Sequence, residues 1–203
     1  MLTGFNFPLG FIKIDEFNNN DEISDYTIIY DNNPCPTHKT YIPLATIPPL
    51  VTNGSFEQGV FSPTGVPSRW QRDAWQYSSS IFGWDNTVAY NGIKSVKIST
   101  TTQNDARWIQ TISVKPNTNY RLSGWIRTIN VIGGSGTAGA NIGLLGTWDH
   151  STGLVGTNDW TYVSMNFNSS SNIAVTIACR LGMWSDTVTG TMWCDQIELV
   201  PTP

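Results

Sequence analysis

From residue 50 to its end the chain is a succession of short runs in which apolar and polar residues alternate, cut apart by clusters of Gly, Asn, Ser, Thr and Pro. A period of two places successive side chains on opposite faces of a strand, and no stretch here carries the 3.6-residue period of a helix of useful length. Strands are expected near 70–77, 94–100, 107–114, 119–131, 139–145, 160–167, 173–181 and 191–200. Their number and spacing describe an all-β fold, a two-sheet antiparallel sandwich of the jelly-roll kind. With 203 residues the chain has room for one full core, or one domain with an appendage.

Residues 1–49 differ from the rest. They open rich in aromatic residues, Gly and Pro, pass through the polar run Asn18–Glu22, and offer one convincing short strand at Tyr26–Tyr30. Prolines 43, 48 and 49 then favour an extended linker, because proline removes a backbone donor and fixes φ. The expected organisation is an extended N-terminal arm over 1–49 and a sandwich over 50–203. An apolar arm without its own core is expected to anchor the protein, on the sandwich, on another copy or on a larger assembly.

Alternation also sorts the faces. In Tyr120–Thr128 the residues Tyr120, Leu122 and Ile126 share one side and must be core, which puts Trp125 outside between Arg121 and Arg127. In Trp160–Phe167 the inward set is Val163, Met165 and Phe167, leaving Trp160, Tyr162, Ser164 and Asn166 outside. In Val175–Leu181, Thr176 and Arg180 face outward. The outer surface thus collects Trp, Tyr, Arg, Asn and Thr. A pyranose ring presents an apolar C–H face and a rim of hydroxyls; flat aromatic rings stack on the first, and Arg, Asn and Gln hydrogen-bond the second. The candidate ligand-binding residues are Trp75, Trp84, Trp125, Trp148 and Trp184, with Tyr162, Arg127, Arg180 and Asn141. A protein interface would enrich some of the same residue types.

Two segments bracket the sandwich: Val51–Gly59, containing Asn53-Gly-Ser-Phe-Glu57, and Met192–Leu199, containing Asp195. Together they make residues 50–203 resemble the carbohydrate-binding modules of the families 4, 9, 16 and 22 group, jelly-roll sandwiches that bind sugars without cutting them. The resemblance implies that Trp70 and Trp193 pack inside; Trp108 joins them by its parity with Ile112 and Val114. It also implies a structural calcium ion between Glu57 and Asp195, with backbone carbonyls from the turn before Ser95–Ser99 completing the hard oxygen set that calcium requires. The closing strand departs from the family pattern, with Gln196 after Asp195 and Cys194 in place of an aromatic.

Other chemistries find little support. A net charge of −4 with only 13% charged residues leaves no basic stripe for nucleic acid. No run reaches the ~20 apolar residues of a membrane span. The start Met1–Pro8 lacks the pattern of a secretory signal, so the chain is either a processed fragment or a protein that leaves the cell by another route, and the location expected is extracellular or a virion surface. His38 and His150 are the two histidines, and no Gly-x-Ser-x-Gly elbow or matched carboxylate pair is visible, so no catalytic residues are assigned. Cys35-Pro-Thr-His38 is half of a zinc-site spacing without a second half. Cys179 and Cys194 fall on late strands and are read as buried free thiols, small hydrophobes, in preference to a cross-strand bond. The expected function is glycan binding, to a polysaccharide or a cell-surface glycan. The alternative is a virion decoration or tail protein anchored by residues 1–49.

Overall fold

The computed structural model describes the backbone of residues 10–17 and 23–30, and residues 49–60, 65–78, 81–133 and 138–203. The chain divides into two units, Met1–Ile47 and Pro48–Pro203. In the first, β1 (Gly10–Phe17) pairs antiparallel with β2 (Ile23–Tyr30). The expected strand at Tyr26–Tyr30 lies within β2. The Cys35–His38 spacing and the prolines at 43 and 48 lie outside the described residues.

The second unit is all β. Its strands are β3 (Gly59–Val60), β4 (Val66–Pro67), β5 (Gln71–Ala74), β6 (Phe82–Asp85), β7 (Ser95–Asn104), β8 (Ala106–Ser113), β9 (Asn119–Ile132), β10 (Ala140–Leu144), β11 (Gly156–Asn168), β12 (Ala174–Leu181) and β13 (Val188–Pro201). They form a four-stranded sheet, β10-β12-β8-β5, and a five-stranded sheet, β11-β9-β13-β7-β6, with antiparallel pairing between neighbouring strands. This is the expected two-sheet sandwich. The eight strands foreseen from alternation are present, the one expected over 70–77 shortened to Gln71–Ala74, and β3, β4 and β6 are additions.

The inner faces meet in one core. Tyr120, Leu122 and Ile126 of β9 oppose Trp108 and Ile112 of β8 and Ile177 and Leu181 of β12, all buried. The two sheets are also joined covalently, because Cys179 of β12 and Cys194 of β13 form a disulfide. This corrects the free-thiol reading: the two thiols sit on facing inner surfaces, a relation that the odd cysteine count concealed. Trp108 and Trp70 are core as expected, with Trp70 packed on Phe56 at 4.8 Å.

The two bracketing segments do meet. The Ile197 N–H donates to the Gly54 carbonyl at 2.9 Å, and a Cβ on Gly54 would collide with the Ile197 carbonyl, so only glycine lets the opening turn lie against β13.

Candidate functional site

On the outer face of the four-stranded sheet, register places Asn141, Arg180, Arg107 and Asp73 side by side across β10, β12, β8 and β5. Alternation makes this row, because Trp108, Cys179 and Ile142 point inward. Asp105, in the break between β7 and β8, organises it. Its carboxylate accepts from Arg180 Nε at 2.8 Å and Nη2 at 2.5 Å, from Arg107 Nη1 at 2.8 Å, and from the Trp184 backbone N–H at 2.9 Å. Arg107 also donates to Asp73, at 2.5 Å. Burial works to raise the Asp105 pKa, but the hydrogen bond and charge of Arg180, then the charge of Arg107 and the Trp184 N–H, outweigh it and hold the carboxyl below its ordinary 3.8.

Above this ionic floor opens a cavity of about 1050 Å³, walled by Trp75 and Trp184 and rimmed by Gln76, Gln103 and Thr187. Each wall is positioned by backbone contacts. The Trp75 N–H donates to the Asp105 carbonyl, and the Asn104 side chain brackets Gln76 with two hydrogen bonds. Trp184 sits at φ +53° in the Met183–Asp186 turn. It is held there by the Asp105 contact and lies 5.8 Å from the Trp148 ring. Trp75 is 67% exposed, Trp148 65% and Trp184 46%, which leaves their rings open to a ligand. Beneath them, two adjacent buried atoms lack hydrogen-bond partners: Arg180 Nη1 and Asn141 Oδ1. Of the nine sequence candidates, Trp75, Trp184 and Arg180 line the cavity; Trp148 lies against Trp184, and Asn141 is the buried strand partner of Arg180.

Three others lie on the opposite face of the sandwich. Tyr162, Trp125 and Asp195 are aligned across β11, β9 and β13, and Arg127 is opposite Trp193. Trp125 does not stand alone between arginines as alternation implied. It stacks on Tyr90 with centroids 4.0 Å apart and planes at 14°. Trp193 is buried but faces this outer side rather than the core, roofed by Lys97 and Arg127, with its indole N–H on Asp85 at 2.8 Å. Trp84 belongs to neither group. Its N–H donates to the Phe56 carbonyl at 2.7 Å and the Lys94 ammonium lies 4.4 Å from its ring, which packs partly buried against the core.

The metal candidates converge on one turn. Glu57 Oε1 accepts from the N–H groups of Ile93 and Lys94, and Asp195 Oδ2 from those of Tyr90 and Asn91. The turn points amide hydrogens at both carboxylates. Gly92, at φ +76°, is where Glu57 comes closest, and a Cβ there would meet its carboxylate. Asp195 is fully buried, and burial pushes its carboxyl up to about 6; the N–H groups of Asn91, Tyr90 and Gln196 work against that, and the charge of Glu57 adds to it. A nearby cation would offset the desolvation of Asp195, but Glu57 and Asp195 alone supply fewer than the six to eight oxygens that calcium takes. Among the described residues no third His, Cys, Asp or Glu joins the pair. His150 bonds through Nδ1 to the Ser151 carbonyl in a bridge beside Gly143.

Sequence reading missed Arg107, Asp105 and Gln76 at the pocket and Tyr90 opposite. Arg107 had a signal, since the inward parity of Trp108 puts its neighbour outside. The others lie in breaks and turns, where no period operates.

Comparison with known proteins follows this geometry. The family model described as a carbohydrate binding domain, CBM_4_9, matches residues 48–182. Exochitinase 1 of Streptomyces olivaceoviridis is 28% identical over 152 residues, 74% of this chain; the chain spans about a fifth (21%) of that relative's length. Among solved structures, the enzymatically active domain of bacteriophage CBA120 tailspike protein 4 matches with a TM-score of 0.51 at 15% identity, covering 76% of this chain and 21% of the other. TmCBM61 in complex with beta-1,4-galactotriose matches at TM-score 0.48 and 15% identity, covering 76% and 99%. Among the described residues no helix is long and apolar enough to cross a membrane.

Proposed function

The chain belongs to the carbohydrate binding domain family, and from that premise we propose that the cavity between Trp75 and Trp184 is its sugar-binding site. The observation that carries this reading is the combination in one cavity of open indole walls and a floor of Arg107, Asp105 and Arg180, with Arg180 Nη1 unpartnered. The indoles supply stacking surface to the sugar's C–H face, and the floor and rim supply donors and acceptors in fixed positions. Trp148, tilted against Trp184, and Asn141, beside Arg180, extend the site. Because each arginine is matched by a carboxylate, the pocket has little net charge, which suits a neutral polysaccharide or cell-surface glycan.

The reading is binding without cleavage. Asp105 is held ionised and bonded to two guanidinium groups, so it is a poor proton donor, and Asp73 is engaged by the same Arg107. The test is native electrophoresis of the full chain through gels containing soluble chitin-, galactan-, xylan- or glucan-type polysaccharide. At least one should retard it, Trp184→Ala should weaken that retardation, and no reducing ends should accumulate. Retardation by none of them overturns the reading.

Calcium bound between Glu57 and Asp195 is proposed as a structural staple, with the N–H groups of the 90–94 turn keeping the carboxylates in place. Chelation should lower the melting temperature and added calcium restore it; an unchanged melting temperature removes the ion from the account. A second reading, display at the surface of a virion or another large assembly through residues 1–49, draws on the fold shared with the tailspike domain. It requires that deleting 1–47 abolish assembly and leave glycan retention intact. Both readings place the protein outside the cell.

A further inference from the structure

We infer that the outer face of the five-stranded sheet is a second glycan-binding surface, centred on Tyr90, Trp125, Trp160 and Tyr162, so that the sandwich bridges two separate sugar chains. The inference rests on the family's carbohydrate binding but uses different residues from the pocket.

The cluster is built rather than incidental. Trp125 and Tyr90 stack at 4.0 Å, Trp160 meets Tyr90 edge-on at 5.9 Å, and Tyr162 meets Trp125 edge-on at 5.6 Å. Three of these rings come from β9 and β11: Trp125 and Tyr162 are direct partners in the regular part of the ladder, and Trp160 precedes it, in the bulge between Asn158 and Thr161. The fourth comes from a turn, and that turn is immobilised. Tyr90 and Asn91 donate to buried Asp195, Ile93 and Lys94 donate to Glu57, and the Ser95 hydroxyl donates to the Val88 carbonyl at 2.6 Å. Four rings are thus presented in a preorganised arrangement, which lowers the entropic cost of binding. Tyr90 is 41% and Tyr162 48% exposed, so ring surface remains open to solvent.

What surrounds the rings selects the occupant. Ser164, Ser123 and Glu198 form the next row across the sheet, and Asn166 and Arg121 the one after. On the other flank Arg127 lies 3.7 Å from Asp159. Protein-binding surfaces enrich aromatic residues but deplete Ser, Glu and Asp around them. Here hydroxyl, amide and carboxylate groups alternate with the rings, and the nearby charges come in opposite signs. Open ring faces beside hydrogen-bonding groups whose charges balance match a neutral glycan, as at the pocket. Sheets of a sandwich pack about 10 Å apart, and the two aromatic surfaces lie beyond them on opposite sides. One short oligosaccharide therefore cannot engage both, and the expected consequence is cross-linking of polysaccharide chains with a gain in avidity on a solid matrix.

The test uses the full chain and the polysaccharide that retards it most. The variants are Trp75→Ala/Trp184→Ala, Tyr90→Ala/Tyr162→Ala and all four together. None of these side chains is core, and a melting temperature within a few degrees of wild type verifies folding. If the inference holds, each double variant stays retarded by more than a tenth of the wild-type effect, and the quadruple variant runs free. Wild type also makes the polysaccharide solution turbid while neither double variant does. If the pocket variant runs free, the second surface is overturned and the proposed function stands. If wild type itself runs free in every gel, both fall. If Tyr90→Ala/Tyr162→Ala changes the sedimenting mass of the protein and leaves retardation and turbidity unchanged, the face is a protein interface and the inference is overturned.

Discussion

The two outer faces of the sandwich use the same residue types and organise them differently. On the four-stranded sheet the ions lie beneath and the rings stand apart: Asp105, Arg107 and Arg180 form a floor, and Trp75 and Trp184 rise as walls around an open cavity. On the five-stranded sheet the rings touch one another and the charges lie at the margin or over a buried indole. The difference comes from the loops. The end of β7 with Asp105 and the 183–187 segment line the cavity over the first sheet, whereas the 88–94 turn lays Tyr90 directly on Trp125. Similar composition therefore yields a hollow on one side and a raised platform on the other.

Removing Asp105 is the strongest way to break the contrast. Asp105→Ala leaves Arg180 buried without its partner, and loss of one member of a buried ion pair costs about 3–5 kcal/mol. Chemical denaturation should read that loss, and the pocket should lose glycan retention while the Tyr90 platform keeps its near-ultraviolet dichroism. Cutting the covalent link between the faces comes next. Cys179→Ala/Cys194→Ala opens a cross-link of sequence separation 15, for which chain entropy gives about 3 kcal/mol, measurable in the same assay. A smaller effect is expected from Trp184→Ala, which removes an exposed wall: stability should stay within about 0.5 kcal/mol, and affinity should fall about 30-fold, near 2 kcal/mol. Acid should separate the faces more gradually. The folded pKa of Asp105 lies below its unfolded value, so its contribution to stability is present above about 3.8 and is lost as pH falls below that value through the folded pKa. Pocket binding should weaken in that window, read by retardation in gels buffered from pH 5 down to 3.

Much of the fold was legible in the sequence because strand alternation is local. Tyr120, Leu122 and Ile126 are core and Tyr162 is exposed, as a period of two requires. The bracketing segments were readable as well, since Gly54 and Ile197 do meet. The pocket was legible only in its parts. Trp75, Trp148 and Trp184 could be named as exposed, but their convergence depends on loop paths fixed by Asn104 and Asp105, and a loop has no period to read. Parity misleads where an outward residue is roofed over: Trp193 and Arg180 both point away from the core and both are buried, one beneath Lys97 and Arg127, the other beneath Asp105 and the Trp184 turn. The disulfide depended on two strands in different sheets coming face to face, which neither strand records.

That disulfide also defines a route for force. It runs from β12, beside Arg180 of the cavity floor, to β13, beside Asp195 under the Tyr90 turn. In a sandwich held by side-chain contact alone, tension between its two outer surfaces would be resisted by apolar packing, which peels apart contact by contact. Here the same tension is carried across the interior by a covalent bond, so that opposing loads on the two faces meet at a single strut.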